Sequence, residues 1–161
     1  MNQKFLKMDN NKIKGIWFFG LSGSGKSYAS KYLFKIIKNS FIIDGDDVRK
    51  YISLDLDYDL KSREIQINRI MGIATLVINN KLFPIISSVY MNKKLSYQLT
   101  KKGISLYLIE RDLTSIYNSH PTYIKNINNI VGKDIFYENF KYQIIQNDGK
   151  NFCKNLIKLI D

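Results

Sequence analysis

Eight consecutive residues, Gly20-Leu21-Ser22-Gly23-Ser24-Gly25-Lys26-Ser27, fit the pattern of a glycine, four residues, a glycine, a lysine and a serine or threonine. The chemistry of that spacing is to hold phosphate. Glycines let successive backbone N–H groups turn inward on an anion, and the N-terminus of a following helix adds partial positive charge. Lys26 reaches the outer phosphates, and the Ser27 hydroxyl is suited to the magnesium that travels with them. A second group, Asp44-Gly45-Asp46, brings two carboxylates onto a tight turn. In phosphoryl transfer to an alcohol, a carboxylate orients the acceptor hydroxyl and takes its proton late in the reaction. One of the two can help hold the magnesium shell while the other faces the acceptor. A solvated acidic turn or a helix cap, with Asp47 added, is the plainer alternative. Arg49 and Arg63 flank the pair, which points to an anionic acceptor unless they pair with Asp55, Asp57 or Asp59 at the surface.

These groups need a scaffold. Residues 13–19 are an apolar, aromatic run that reads as a buried strand, and 28–38 as a helix, so the glycine-rich stretch joins strand to helix. Further on, 41–43 reads as a strand and 47–53 as a helical turn. Residues 62–79 carry Ile67, Ile70, Met71, Ala74, Val77 and Ile78 at helical spacing. Strands are expected at 83–89, 104–109 and 141–146. Helices are expected at 92–101, with Gly103 as its C-terminal cap, and at 112–118 and 150–160. Strands alternating with helices predict a parallel sheet covered on both faces, with ligands beyond the carboxyl ends of its strands. That edge would gather the glycine-rich loop, Asp44 with Asp46, and residues 87–92. Residues 119–140 lack periodicity; an irregular connection of roughly 20 residues in one domain reads as a lid, or else as a floppy insertion.

Composition narrows the classes. The chain has 161 residues, 45% of them hydrophobic, enough for one domain with a real core. No apolar run approaches the roughly 20 residues of a membrane span, and the polar start offers no signal peptide. Residues 1–12 read as a loose tail. Cys153 is the only cysteine, which predicts a cytoplasmic setting and a core position in the last helix. The net charge of +11 comes from scattered lysines without a dense block, so anionic nucleotides are expected as partners rather than nucleic acid or membrane. His120, the only histidine, stands at the lid's start, to contact phosphate or to face solvent. A GTPase would show Asn-Lys-x-Asp, whereas Asn92-Lys93-Lys94 runs on to Leu95 and Ser96. A chain that only holds ATP would be expected to lack the acidic turn.

Taken together, Gly20 to Ser27, then Asp44-Gly45-Asp46-Asp47-Val48-Arg49, Asp55-Leu56-Asp57-Tyr58, Arg63 and Gly132-Lys133-Asp134-Ile135-Phe136-Tyr137-Glu138 resemble the adenylyl-sulfate kinases. The resemblance runs from the first strand to the last helix. It implies a three-layer α/β P-loop kinase fold with a parallel five-stranded sheet and helices on both faces. It also implies transfer of the ATP γ-phosphate to the 3′-hydroxyl of a nucleotide's ribose, with Mg2+. By this resemblance Lys26, Asp44 and Asp46 are catalytic, with Asp46 the base, and Ser27 and Asp44 serve the metal. ATP lies on Gly20, Leu21, Ser22, Gly23, Ser24, Gly25, Lys26, Ser27 and Tyr28. Arg49 and Arg63 meet the acceptor's anionic end, and Tyr58 stands where the family stacks a phenylalanine on the acceptor base.

The departures fall around the acceptor. The family's Ile-Ser-Pro-aromatic-Arg is Val89-Tyr90-Met91-Asn92-Lys93, with Val89 and Tyr90 assigned to the acceptor. Its helix asparagine is Gln66, its lid phenylalanine Ile130, its lid lysine Lys125 within Pro121-Thr122-Tyr123-Ile124-Lys125, and an arginine before the lid is Ser119. Losing one aromatic wall weakens base stacking by about 1–3 kcal/mol. The expectation is therefore the same reaction on a smaller base. The cytidine diphosphoramidate kinases of capsule modification, an offshoot with this pattern, provide the model, with ordinary adenylyl-sulfate kinase as the alternative. A homodimer is among the assemblies left open.

Overall fold

Gly15–Phe19, buried throughout, forms the central strand β1. A computed structural model describes residues 13–125 and 128–160, so the tail expected at 1–12 lies outside the described residues. After β1 come α1 (Lys26–Phe34), β2 (Ser40–Asp44), α2 (Gly45–Tyr51), α3 (Leu60–Asn79) and β3 (Phe83–Ser88). Then follow α4 (Lys93–Lys101), β4 (Ile104–Glu110), α5 (Leu113–Ser119), α6 (Pro121–Ile124), β5 (Gln143–Gln146) and α7 (Phe152–Ile157). The strands are parallel in the order β2-β3-β1-β4-β5, the five-stranded sheet that the alternation of elements predicts.

Alternation along β1 sets the layers. Ile16 and Phe18 turn to one face, against Ala29 and Leu33 of α1 and Phe152 and Leu156 of α7. Trp17 and Phe19 turn to the other, against Ile67, Ile70 and Ala74 of α3 and Leu95 and Leu99 of α4. Because both faces are covered, β1 reads as an unbroken apolar run. The buried Trp17 indole also donates to Ser88 Oγ at 2.8 Å, and that hydroxyl donates to the Tyr90 carbonyl at 2.9 Å. The exit of β3 is thereby fixed to the middle of the sheet.

Several boundaries differ from the expected ones, each for a local reason. Helix α1 stops at Phe34, because the Ile36 and Ile37 N–H groups both fold back on the Leu33 carbonyl and swing Ile37 into the core. Helix α2 starts directly at Gly45, since the Asp44 carboxylate accepts the Asp46 N–H and caps it. The acidic pair therefore spans a strand end and a helix's first turn rather than a free turn. Strand β5 begins at Gln143, because Phe140 and Tyr142 pack their rings on Phe19 instead of extending the strand. The last helix ends at Ile157 rather than 160; its buried stripe is Phe152 and Leu156, continued by Ile160 in the turn that follows. Cys153 lies off it and is only half-buried, its Sγ 3.3 Å from the Tyr28 hydroxyl, which corrects the expected core position.

The described residues of the segment 119–140 also hold more order than expected. It contains α6 and a parallel bridge between Val131 and Ile135. Its second half packs on the core: Val131 is buried, the Tyr137 ring meets the Phe19 ring edge-on at 5.2 Å, and the Tyr137 hydroxyl donates to the Val89 carbonyl at 2.8 Å. No helix among the described residues is long and apolar enough to cross a membrane.

Ile70 has no exposed surface, whereas Leu76 on the same helix is 63% exposed. Ile70→Ala is expected to cost about 2–5 kcal/mol in urea denaturation, and Leu76→Ala to stay within about 0.5 kcal/mol. Equal losses for the two would contradict the assigned burial of α3.

Candidate active site

The carboxyl ends of β1, β2 and β3 open on a cleft of about 640 Å³. Asp44, the last residue of β2, is its anchor. Its Oδ2 accepts from the Ser27 hydroxyl at 2.7 Å and from the Ser87 hydroxyl at 2.8 Å, and its Oδ1 accepts the Asp46 N–H at 2.9 Å. One carboxylate thus joins the glycine-rich loop, β3 and the first turn of α2. The Ser27 and Asp44 oxygens side by side are hard donors of the kind Mg2+ takes when phosphates and water complete its shell.

Lys26 is buried, and its Nζ donates to the Leu21 carbonyl at 2.7 Å. Burial pushes its ammonium down to about 8, against the opposing pull of Asp46 and Asp44. Asp46 lines the cleft from the first turn of α2, with its residue surface still exposed. Burial and the Asp44 charge push its carboxyl above the ordinary carboxylate value, while Lys26 and Arg49 pull the other way.

Arg49 and Arg63 do not pair with the neighbouring carboxylates. Arg49 Nη1 donates to the carbonyls of Leu56 at 3.1 Å and Asp57 at 2.8 Å. Arg63 Nε donates to the Tyr58 carbonyl at 2.9 Å, and its Nη2 to the Asn129 carbonyl at 2.8 Å. Asp55 binds Arg69 instead, and Asp59 caps α3 through Ser62. Both guanidiniums face the Tyr58 ring, Arg49 at 4.5 Å and Arg63 at 5.7 Å from its centroid. Burial and the charge of Arg49 press Arg63 below its usual value. Two cations held by neutral carbonyls form a site for an anion.

Gln66 is buried, and its Nε2 donates to the Gly45 carbonyl at 3.0 Å while its Oε1 has no partner. It lines the cleft together with Val89, Tyr90 and Ile130. The glycine-rich stretch contributes Ser22, Gly23, Gly25, Lys26 and Ser27, followed by Tyr28. Gly20, Leu21 and Ser24 stand behind that surface: Ser24 is buried, and Leu21 packs on Gly132. Lys125 does not join the site. It is exposed at the end of α6, where its N–H closes the helix on the Pro121 carbonyl, so its side chain falls outside the cleft lining.

Three contributors were not assigned a role from the sequence. Ser87 holds Asp44 from β3. Asn147, at the exit of β5, donates from Nδ2 to the Ser24 carbonyl at 2.7 Å and braces the glycine-rich loop from behind. Arg111, at the exit of β4, donates to the Gly23 carbonyl at 3.2 Å. The available signal was position alone: each follows or ends a strand at the edge where ligands bind.

Comparisons with known proteins bear on the family and the fold. The family described as Adenylylsulphate kinase matches residues 12–145. The Adenylyl-sulfate kinase of Buchnera aphidicola subsp. Acyrthosiphon pisum is 30% identical over 96% of this chain and 84% of its own length. The same enzyme from Buchnera aphidicola subsp. Schizaphis graminum is 29% identical over 76% of this chain and 65% of its own. Among solved structures, the Mycobacterium tuberculosis APS kinase CysC, in complex with AMPPNP and APS, superposes with a TM-score of 0.79. At 22% identity over 93% of this chain and 96% of that one, this is a likeness of fold.

A carboxyl whose folded value is raised binds its proton more tightly in the native state, so it subtracts stability as pH rises through that value. Charged Asp46 therefore opposes folding at neutral pH. Asp46→Asn is expected to melt higher than the parent at pH 7, with the gain fading as the pH falls from the raised folded value towards the ordinary carboxylate value of 3.8, below which none remains. A variant that melts lower at pH 7 would show that the carboxylate is instead a stabilising partner of Lys26.

Proposed function

The chain belongs to the adenylylsulphate kinase family of phosphotransferases, and from that premise we propose that it transfers the γ-phosphate of ATP to the ribose 3′-hydroxyl of a small anionic nucleotide. One observation carries the reading: a buried lysine, two carboxylates and two arginines without carboxylate partners line a single cleft. Lys26 and the loop's N–H groups hold the donor phosphates. Asp46, raised in basicity, accepts the proton of the attacking hydroxyl, and Gln66 and Tyr90 border the acceptor. Arg49 and Arg63 clamp its anionic end. Mg2+, which neutralises charge on the transferring group when bound, would be held by Ser27 and Asp44. Residues 119–140 serve as the lid of a one-domain enzyme, and a cytoplasmic setting goes with this reading.

For the acceptor we favour cytidine diphosphoramidate over the adenylyl sulfate for which the relatives are named. The supporting observation is Ile130, which lines the cleft with an aliphatic face and is only 3% exposed. Tyr58 is left as the single aromatic that the arginines hold for a base. A pyrimidine has less stacking area to lose with the second wall gone.

ADP release measured with each acceptor side by side tests both levels. Turnover with cytidine diphosphoramidate is expected to exceed that with adenylyl sulfate. Lys26→Ala and Asp46→Ala should each cut it by roughly 10²- to 10⁴-fold. Arg49→Ala should raise the KM for the acceptor and leave that for ATP. Preference for adenylyl sulfate removes the pyrimidine assignment alone, whereas acceptor-independent ADP release with both removes the 3′-kinase reading.

A further inference from the structure

His120 joins α5 to α6 and lies over the apex of the glycine-rich loop. A Cβ built on Gly23 would stand 2.8 Å from His120 Cδ2 and 3.2 Å from its Cγ, so the imidazole rests directly on that glycine. The ring is held from several sides. Its backbone N–H bonds the Ile116 carbonyl at 2.9 Å, and its Nδ1 accepts the Thr122 N–H at 3.3 Å. Tyr123 packs edge-on against it at 6.1 Å and is itself tied to the Val131 carbonyl through its hydroxyl. Below, Arg111 holds the Gly23 carbonyl, so the loop's apex is pinned on one side and covered on the other.

The occupied Nδ1 decides the chemistry. An imidazole that accepts at Nδ1 carries its proton on Nε2, which is therefore a hydrogen-bond donor. Nε2 is bonded to Cδ2, the atom closest to Gly23, and His120 lines the same cleft as Lys26 and Ser27. Lys26 is the only basic side chain that the glycine-rich stretch itself supplies. The cleft's two guanidiniums stand at the Tyr58 end.

We propose that His120 is a ligand of the donor nucleotide, its Nε2–H donating to an oxygen of the outer phosphates held by the glycine-rich loop. It thereby couples the position of α6 to the polyphosphate end of ATP. The proposal rests on the kinase reading above and adds to it a donor contact carried by the segment that follows β4 and α5.

The test must separate this contact from the role of His120 as the cap of α6. His120→Ser keeps a capping oxygen and removes the ring, whereas His120→Gln restores an N–H donor at similar reach. The affinity for Mg-ATP is measured by titration calorimetry, and KM for ATP and for the acceptor are measured separately. His120→Ser is expected to weaken ATP roughly ten- to a hundredfold, the scale of a hydrogen bond to a charged group. Its melting temperature and acceptor KM should match the parent's, and His120→Gln should recover part of the loss. A change in ATP affinity under about twofold, or a loss that falls on the acceptor instead, overturns the assignment. Parent protein and Lys26→Ala act as reference. If Lys26→Ala binds ATP as the parent does, the phosphate-loop reading falls and His120 with it. If only Lys26→Ala loses affinity, the kinase reading stands and His120 alone is refuted.

Discussion

One carboxylate organises the cleft. Asp44 receives hydrogen bonds from Ser27, Ser87 and the Asp46 N–H, groups that belong to the glycine-rich loop, to β3 and to α2. A carboxylate offers about four lone-pair positions, so these donors nearly fill it and fix the group in one orientation. The same bonds set the distance between the donor loop and the second carboxylate. Asp46 stands where it does because Asp44 caps its helix. Gly45 between them completes the constraint. A Cβ there would come within 3.0 Å of the Ser87 carbonyl, and its own carbonyl takes the Gln66 amide. The acidic turn is therefore pressed against β3 on one side and α3 on the other, and its geometry is a property of the sheet.

Charge is distributed so that it stays available. Arg69 engages Asp55 and holds that carboxyl down at about 2, which takes a competing acid away from the cleft's arginines. Arg49 and Arg63 are positioned by backbone carbonyls, which orient a guanidinium without neutralising it. Their mutual repulsion and partial burial make an incoming anion favourable at that end. At the other end burial lowers the Lys26 ammonium, and the two aspartates oppose that shift. A cleft with a lysine at one end, paired arginines at the other and carboxylates between them suits two anionic ligands that meet at a neutral hydroxyl.

The legible parts of the sequence were those written in consecutive residues. The glycine-rich loop, the alternation of strands and helices and the Asp-Gly-Asp turn each carry their own spacing, and all lie where the spacing predicts. Parts set by tertiary contact were not legible. Ser87 and Asn147 matter only because β3 and β5 end beside the loop. Lys125 had a plausible place in a linear pattern, but the last turn of α6 carries it to the surface. Helix α2 starts at Gly45 because the Asp44 side chain caps it, so the helix-cap alternative and the chemical reading of the acidic turn fall on the same carboxylate. Segment 119–140 lacked periodicity, yet Tyr137 and Val131 anchor it through single contacts that no window of sequence reveals.

The two ends of the cleft differ in what could change without harm to the fold. The donor end is backbone, and it is closed to substitution. Gly20 and Gly25 both adopt positive φ, and a Cβ on them would stand 2.6 Å from the Ile109 carbonyl and 2.5 Å from Asn147 Nδ2. Either substitution would strain the loop and break its contact with a strand end. The acceptor end is side chain. Tyr58 is 59% exposed, and its ring borders the cleft under two cations rather than filling the core. Ile130 reaches the cleft from a segment whose backbone is secured elsewhere, by the Asp134 carboxylate on its own N–H and by Val131 beside it. A larger or smaller residue at 130 would reshape that wall of the cleft while those anchors hold. Val89, Tyr90 and Ile130 line the cleft by side chains away from the glycine-rich loop, so under the proposed function their departures bear on the choice of acceptor rather than on the holding of the donor phosphates.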